Sequence, residues 1–269
     1  MSQQIALESN AVFMGIEYFT ILVSGFVGGL VGVRKKYDGF AIIVLAWATA
    51  LGGGLVRDIL LGDIPPVGVR DRAMVLIAIA AGVIIMFIHP EIERMRWTLI
   101  LLDAVAMALF SVIGTEKALA WGTGGMTAVF LGMATAFAGG VLRDVLVGEV
   151  PVVIRDKHLY AVPSAVACIL TIISHRIILA RGGTINTEIF WDVVIVVFIV
   201  FIRFASVKWN LTVPGASKRS EAYMFRAPRR HKVSPDYQAD VMDSGEIIER
   251  DEAPQDEPAV TKSGNARQR

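Results

Sequence analysis

The sequence predicts an all-α integral membrane protein of seven transmembrane helices, built as an inverted three-helix repeat plus a seventh helix. Three observations predict it. The chain is 54% hydrophobic and 19% charged, with a mean hydropathy of +0.58, which is unlike an ordinary soluble domain. Its apolar residues fall into seven runs separated by charged or turn-prone breaks. A short segment also occurs twice: Gly53–Pro65 (GGLVRDILLGDIP) returns 86 residues later as Gly139–Pro151 (GGVLRDVLVGEVP). Such a repeat in an apolar chain points to a duplicated bundle around one pathway.

The runs are Ala11–Val33, Phe40–Leu61, Ala73–Ile88, Trp97–Leu119, Met126–Val147, Leu159–Ile173 and Ile189–Val207. Several approach the roughly 20 residues a helix needs to cross a bilayer. Arg34-Lys35-Lys36, Pro65-Pro66, His89-Pro90-Glu91, Gly122–Gly125, Pro151 and Arg181-Gly182-Gly183 separate them. Each span must be helical, because lipid offers no partner to an open backbone group. The first dozen residues carry Glu8 and no Lys or Arg, so the first run reads as a retained helix rather than a signal peptide.

Three spans per repeat is an odd number, so the second copy must enter the membrane from the opposite side. Residues 11–90 and 97–175 form the inverted pair, and the helix at 189–207 stands outside it. The same offset aligns Glu17 with Asp103 and Gly28 with Gly114. With the N-terminus outside, Arg34, Lys35, Lys36, Arg94, Arg96, Arg155 and Lys157 fall inside, together with the basic stretch Lys218–Lys232. The positive-inside rule then predicts N-terminus out and C-terminus cytoplasmic, in a cell (inner) membrane. Residues 214–269 are polar and charged, and read as a disordered cytoplasmic tail, whose basic segment Lys218–Lys232 either anchors the inside orientation or binds anionic membrane lipid.

Little else in the chain suggests chemistry. Cys168 is alone, so it makes no intrachain disulfide and reads as a small buried hydrophobe. His89, His158, His175 and His231 show no ligand spacing, and there is no phosphate loop or nucleophile triad. No enzyme activity, cofactor or metal is expected. The net charge of +1, with basic residues forming no single face, gives no reason to expect a nucleic-acid partner.

The repeated motif is the informative part. Gly52-Gly53-Gly54 and Gly139-Gly140 weaken their helices by about 1 kcal/mol per Gly, so a break there would free backbone groups beside a cavity. Close helix packing on small residues is the other reading. Arg57-Asp58 and Arg143-Asp144 follow. Neighbours on a helix point about 100° apart, so the expected pairs cross between repeats, Arg57 with Asp144 and Arg143 with Asp58. Alternatively these charges lie at the headgroups. Glu17 and Asp103 are matched acids near helix starts. Glu116 and Lys117 lack charged counterparts in the first repeat, which makes Lys117 either a gating charge or a snorkelling one.

Both Gly-Gly-x-x-Arg-Asp-x-x-x-Gly segments, Val33–Gly39 and Gly114–Leu119 resemble the prokaryotic branch of the trimeric intracellular cation (TRIC) channel family. The same duplicated unit is also known as a glycine-transporter or uncharacterised membrane domain. The resemblance covers about residues 11–207. It implies seven helices in a symmetric homotrimer, with one pore per protomer where the two glycine-broken helices approach. The pore would pass monovalent cations, chiefly potassium. On these residues it implies Gly53, Gly54, Gly139 and Gly140 as kinks, with Arg57, Asp58, Arg143 and Asp144 near the path. No Thr-Val-Gly-Tyr-Gly filter is present, so strong selectivity is not expected. A carrier of a small zwitterion such as glycine is the second reading, with Arg and Asp holding carboxylate and ammonium. A scaffold recruiting partners through its tail is the third.

Overall fold

The computed structural model describes residues 10–88, 92–155 and 160–209, the segment 92–96 by its backbone only. The expected tail, His89, His158, His231 and Lys157 lie outside the described residues. Within them the chain is helical, without strands.

Helix α1 (Ala11–Arg34) starts at Asn10, whose side-chain oxygen accepts from the Val12 and Phe13 N–H groups. Helix α2 (Gly39–Leu61) starts at Asp38, which accepts from Ala41 N–H. These caps satisfy donors that the first helical turn leaves without partners. A single turn, α3 (Val67–Arg70), leads into α4 (Arg72–Phe87), which Asp71 caps. Then come α5 (Ile92–Ala120), α6 (Gly125–Leu146), the single turn α7 (Val152–Arg155), α8 (Ala161–Ala180) and α9 (Ile185–Lys208).

Six of the described helices are long and apolar enough to cross a membrane: α1, α2, α5 from Trp97 onward, α6, α8 and α9. The third apolar run falls short of the expected seventh. It forms the 16-residue α4, about 24 Å long against a hydrocarbon core of about 30 Å. Its buried face, Met74, Ala78, Ala81, Gly82 and Ile85, is set by helical periodicity.

The polarity of the bundle is that of a membrane protein. Phe40, Leu76, Phe87, Met126, Phe130, Phe190 and Phe201 are exposed, while Thr20, Ser24, Thr49, Ser111, Thr115, Thr135 and Ser164 are buried. Two of these hydroxyls bond within their own helix, Thr49 donating to Leu45 O and Thr135 to Leu131 O, both at 2.6 Å, while Ser24 donates across to Thr49 O. Small hydroxyl residues of this kind let helices approach closely in lipid.

Packing follows the duplication. Helices α1, α2 and α4 pack on one another, as do α5, α6 and α8. The two groups meet through α2 on α6 and α1 on α5, and α9 packs on α8 and α5.

Candidate functional site

The repeated glycines lie where α2 crosses α6. A Cβ on Gly53 would stand 2.1 Å from the Thr135 carbonyl oxygen, and one on Gly139 2.3 Å from that of Thr49. Rising numbers on α2 therefore meet falling numbers on α6, and the two helices run antiparallel. Gly52 extends the contact, its Cβ position lying 3.3 Å from Gly139 Cα. Gly28 and Gly114 repeat the device one layer out, with Cβ positions 2.5 and 2.6 Å from the Thr49 and Thr135 hydroxyls.

The expected helix breaks are not found. Both helices continue without interruption through Gly52–Gly54 and Gly139–Gly140. Tight tertiary packing outweighs the poor helix propensity of these glycines. Gly54 and Gly140 differ from their neighbours, since the closest atom to each missing Cβ is the guanidinium of Arg57 or Arg143, 3.8 and 3.7 Å away.

The charge pairing also differs from the sequence expectation. Arg57 Nε donates to Asp58 Oδ1, and Arg143 Nε to Asp144 Oδ1, both at 2.8 Å. Each Arg thus pairs with its own neighbour rather than across the repeats. The antiparallel crossing is the reason: it sets the two Arg-Asp pairs roughly 18 Å apart along the axis, beyond side-chain reach. All four side chains are buried within the protein, near the C-terminal ends of α2 and α6.

Each Asp has a second task. Asp58 Oδ2 accepts from Val67 N–H at 3.0 Å, and Asp144 Oδ2 from Val152 N–H at 2.8 Å. Each carboxylate so receives the first donor of the short turn that follows, α3 or α7. Gly62 and Gly148 lie between, at φ +77° and +71°. Only a residue that tolerates this left-handed conformation ends the helix so abruptly. The repeated motif therefore encodes a close crossing, an ion pair, a helix stop and a cap.

Beyond this shared frame the two ends diverge. At the first, Lys117 of α5 donates to Asp58 Oδ1 and to Asp63 Oδ2, each at 2.9 Å. Lys117 is buried, its ammonium held between the two carboxylates. Arg70 stands 3.6 Å from Asp63. Beside this site, Glu17, Thr20, Gly54, Arg57 and Phe110 line a cavity of about 20 Å³. At the second end, Arg143 also holds Asp103 at 3.2 Å, and Asp103 accepts from Tyr160 OH at 3.0 Å. Arg203 of α9 lies 4.6 Å above the Tyr160 ring, a cation–π contact. Glu149, the counterpart of Asp63, is half-exposed and pairs with Lys35 and with Arg155. Those two cations hold its carboxyl down to about 2 from an ordinary 4.5.

Sequence reasoning missed Asp63 and Glu149 as participants, although both lie inside the repeat. It also expected no metal-ligand cluster, yet Glu116 turns away from Lys117 and meets His175 and Glu188, with ligand atoms within 4.8 Å of one another. Their distance in sequence hid that grouping.

These features define a multi-span α-helical membrane protein built on a duplicated unit. The sequence profile of the family described as Glycine transporter matches residues 14–90 and again 100–176, and the chain belongs to that family. A UPF0126 membrane protein of Vibrio cholerae is 32% identical over 215 residues, covering 80% of this chain and 86% of the other. The UPF0126 inner membrane protein YadS of Escherichia coli is 32% identical over 197 residues, covering 70% and 87%. Among solved structures, a TRIC trimeric intracellular cation channel orthologue from Rhodobacter sphaeroides superposes with a TM-score of 0.64 at 32% identity, covering 75% of this chain and all of that one. Another TRIC cation channel, at 23% identity and TM-score 0.66, shares the fold over 78% of this chain. The chain is a membrane protein.

Proposed function

We propose that the chain is a homotrimeric cation channel of the cell (inner) membrane, permeable to potassium and other monovalent cations, with one pore per protomer beside the α2–α6 crossing. The observation that carries this reading is the match, over its whole length, to the Rhodobacter sphaeroides channel orthologue. The buried charges supply a physical basis. Asp58, Asp63 and Glu17 at one end, and Asp144 and Asp103 at the other, attract cations, while Arg57, Lys117 and Arg143 neutralise them. The cavity beside Arg57 has room for about one water, so passage of an ion requires widening there.

Lys117 acts as the gate in this reading. Its ammonium occupies the Asp58–Asp63 pair where a passing cation would otherwise bind. Residues 11–90 and 97–175 form the inverted repeat, α4 crosses as the third member of the first copy, and the helix at 189–207 is the seventh. The N-terminus lies outside and the C-terminus on the cytoplasmic side. Gly53 and Gly139 hold the crossing shut, while Gly54 and Gly140 leave room for the Arg side chains.

The test is conductance of purified protein in planar bilayers with potassium chloride, followed by ion-replacement reversal potentials. Discrete currents that reverse in favour of cations are expected, and Lys117→Gln should raise the open fraction severalfold. A second reading, carriage of glycine or another small zwitterion, rests on the family's description and on each Arg lying beside an Asp. Silent bilayers, with glycine uptake by proteoliposomes of the same preparation, would replace the channel with that carrier. Neutralising Arg57 and Arg143 together should then abolish uptake, whereas a channel would keep or change its current.

A further inference from the structure

Away from the two Arg-Asp sites, a second polar cluster is gathered where α5, α8 and α9 meet. Glu116 is 1% exposed, and neither of its carboxylate oxygens has a hydrogen-bond partner. His175 Nδ1 stands 3.4 Å from Glu116 Oε2, but it is engaged by Glu188 Oε1. Asp192, one turn beyond Glu188 on the same face of α9, is 8% exposed, and its Oδ1 is also buried without a partner. It lies within electrostatic reach of Glu116, Glu188 and His175.

Three carboxylates here face one imidazole. A single ring N–H cannot serve two acids, and even a protonated ring leaves the acids in excess. Buried charge without a partner is costly, so the arrangement asks for a further cation. Lys117 is next in sequence, but its ammonium is committed to Asp58 and Asp63 on the other side of α5.

We propose that Glu116, His175 and Glu188 form a divalent transition-metal site of the Zn²⁺ class, with the fourth position taken by water. The donor set fits. One imidazole nitrogen with carboxylate oxygens suits Zn²⁺ better than Ca²⁺ or Mg²⁺, which prefer all-oxygen cages. Tetrahedral bonds of about 2.0–2.1 Å place neighbouring ligands about 3.4 Å apart. The His175 Nδ1 to Glu116 Oε2 separation is 3.4 Å, the three ligand atoms lie within 4.8 Å of one another, and the His175–Glu188 contact must open to admit the ion. The site lies near the C-terminal ends of α5 and α8 and the start of α9, so an ion reaches it from one membrane face. Metal there ties the three helices together.

The experiment uses tag-free, full-length protein in detergent. It is loaded with Zn²⁺, dialysed and assayed for metal by mass spectrometry, and in parallel loaded with Co²⁺ for visible absorption. One Zn²⁺ per protomer is expected, with the intense Co²⁺ bands of a four-coordinate site and a Zn²⁺-dependent rise in melting temperature. Glu116→Gln and His175→Gln should lose all three, while His231→Gln in the tail keeps them. Glu116→Gln should melt no lower than the parent without metal, because it removes a buried charge with no partner. If His175→Gln does not fold, Glu188→Gln carries the same test. Absence of stoichiometric metal in the parent chain overturns the proposal, as does metal that survives these substitutions. Neither result bears on conductance, so the site and the channel reading fail separately.

Discussion

The two ends of the α2–α6 pair were built from one motif and have come to hold their charges differently. Around Arg57 and Asp58, a second cation from another helix, Lys117, is buried between two acids. Around Arg143 and Asp144, the additional partner is an acid, Asp103, and the acid matching Asp63 has moved to the surface to meet Lys35 and Arg155. The helix stop, the cap and the glycine contact are the same at both ends. Duplication has therefore kept the parts that shape the backbone and let the parts that set the local charge drift apart. The buried end is where electrostatics is least screened, so it is the end where a single charge change matters most.

The sharpest way to break this comparison is to remove the Asp at each end. Asp58→Asn takes a carboxylate from two buried cations, leaving Lys117 with Asp63 alone, and weakens a cap; it should cost about 3–5 kcal/mol of stability. Asp144→Asn should cost less, because Arg143 keeps Asp103 and no second cation loses a partner. Thermal unfolding in detergent checks both, and equal losses would mean that Lys117 adds nothing to the first end.

A smaller effect tests what the ends share. Gly53→Ala and Gly139→Ala each push a methyl into a carbonyl oxygen of the facing helix and should each cost at least about 1–3 kcal/mol. Gly54→Ala meets only the end of a flexible Arg side chain, and should be neutral or slightly stabilising because Ala favours the helix by about 1 kcal/mol. Melting temperatures should separate these neighbours clearly. A Gly54→Ala loss as large as that of Gly53→Ala would remove the crossing as the reason for the conserved spacing of the repeat.

The smallest effect belongs to the exposed pair. The Glu149 carboxyl is held below its ordinary 4.5, at about 2, so its ion pairs contribute fully above 4.5 and are lost as pH falls through about 2. Glu149→Gln should cost no more than about 1 kcal/mol at neutral pH, and less in high salt. Melting curves of the variant should lack that part of the parent's acid sensitivity. A loss near that of Asp58→Asn would show the second end to be as tightly coupled as the first.

Much of the fold was legible because hydropathy accumulates residue by residue along one helix. The runs at 11–33 and 40–61 map closely onto α1 and α2. The run at 73–88 was legible as a helix, but its length leaves it short of a full span. The site was legible as a set of residues and not as a set of contacts. Arg57, Asp58, Arg143 and Asp144 were all singled out, yet they were paired across the repeats. Lys117 was singled out without Asp63, its partner 54 positions away. Glu116 was named only as a companion of Lys117, although its neighbours lie on α8 and α9.

The sequence by itself determined the duplication, the apolar segments, the positions of the small residues and the glycine stops, because each depends on local composition or short-range geometry. Tertiary structure alone decided that the glycines close a crossing instead of opening a helix, and which charge meets which. Those outcomes depend on the direction and depth at which α2 meets α6, which residues far apart in the sequence set together.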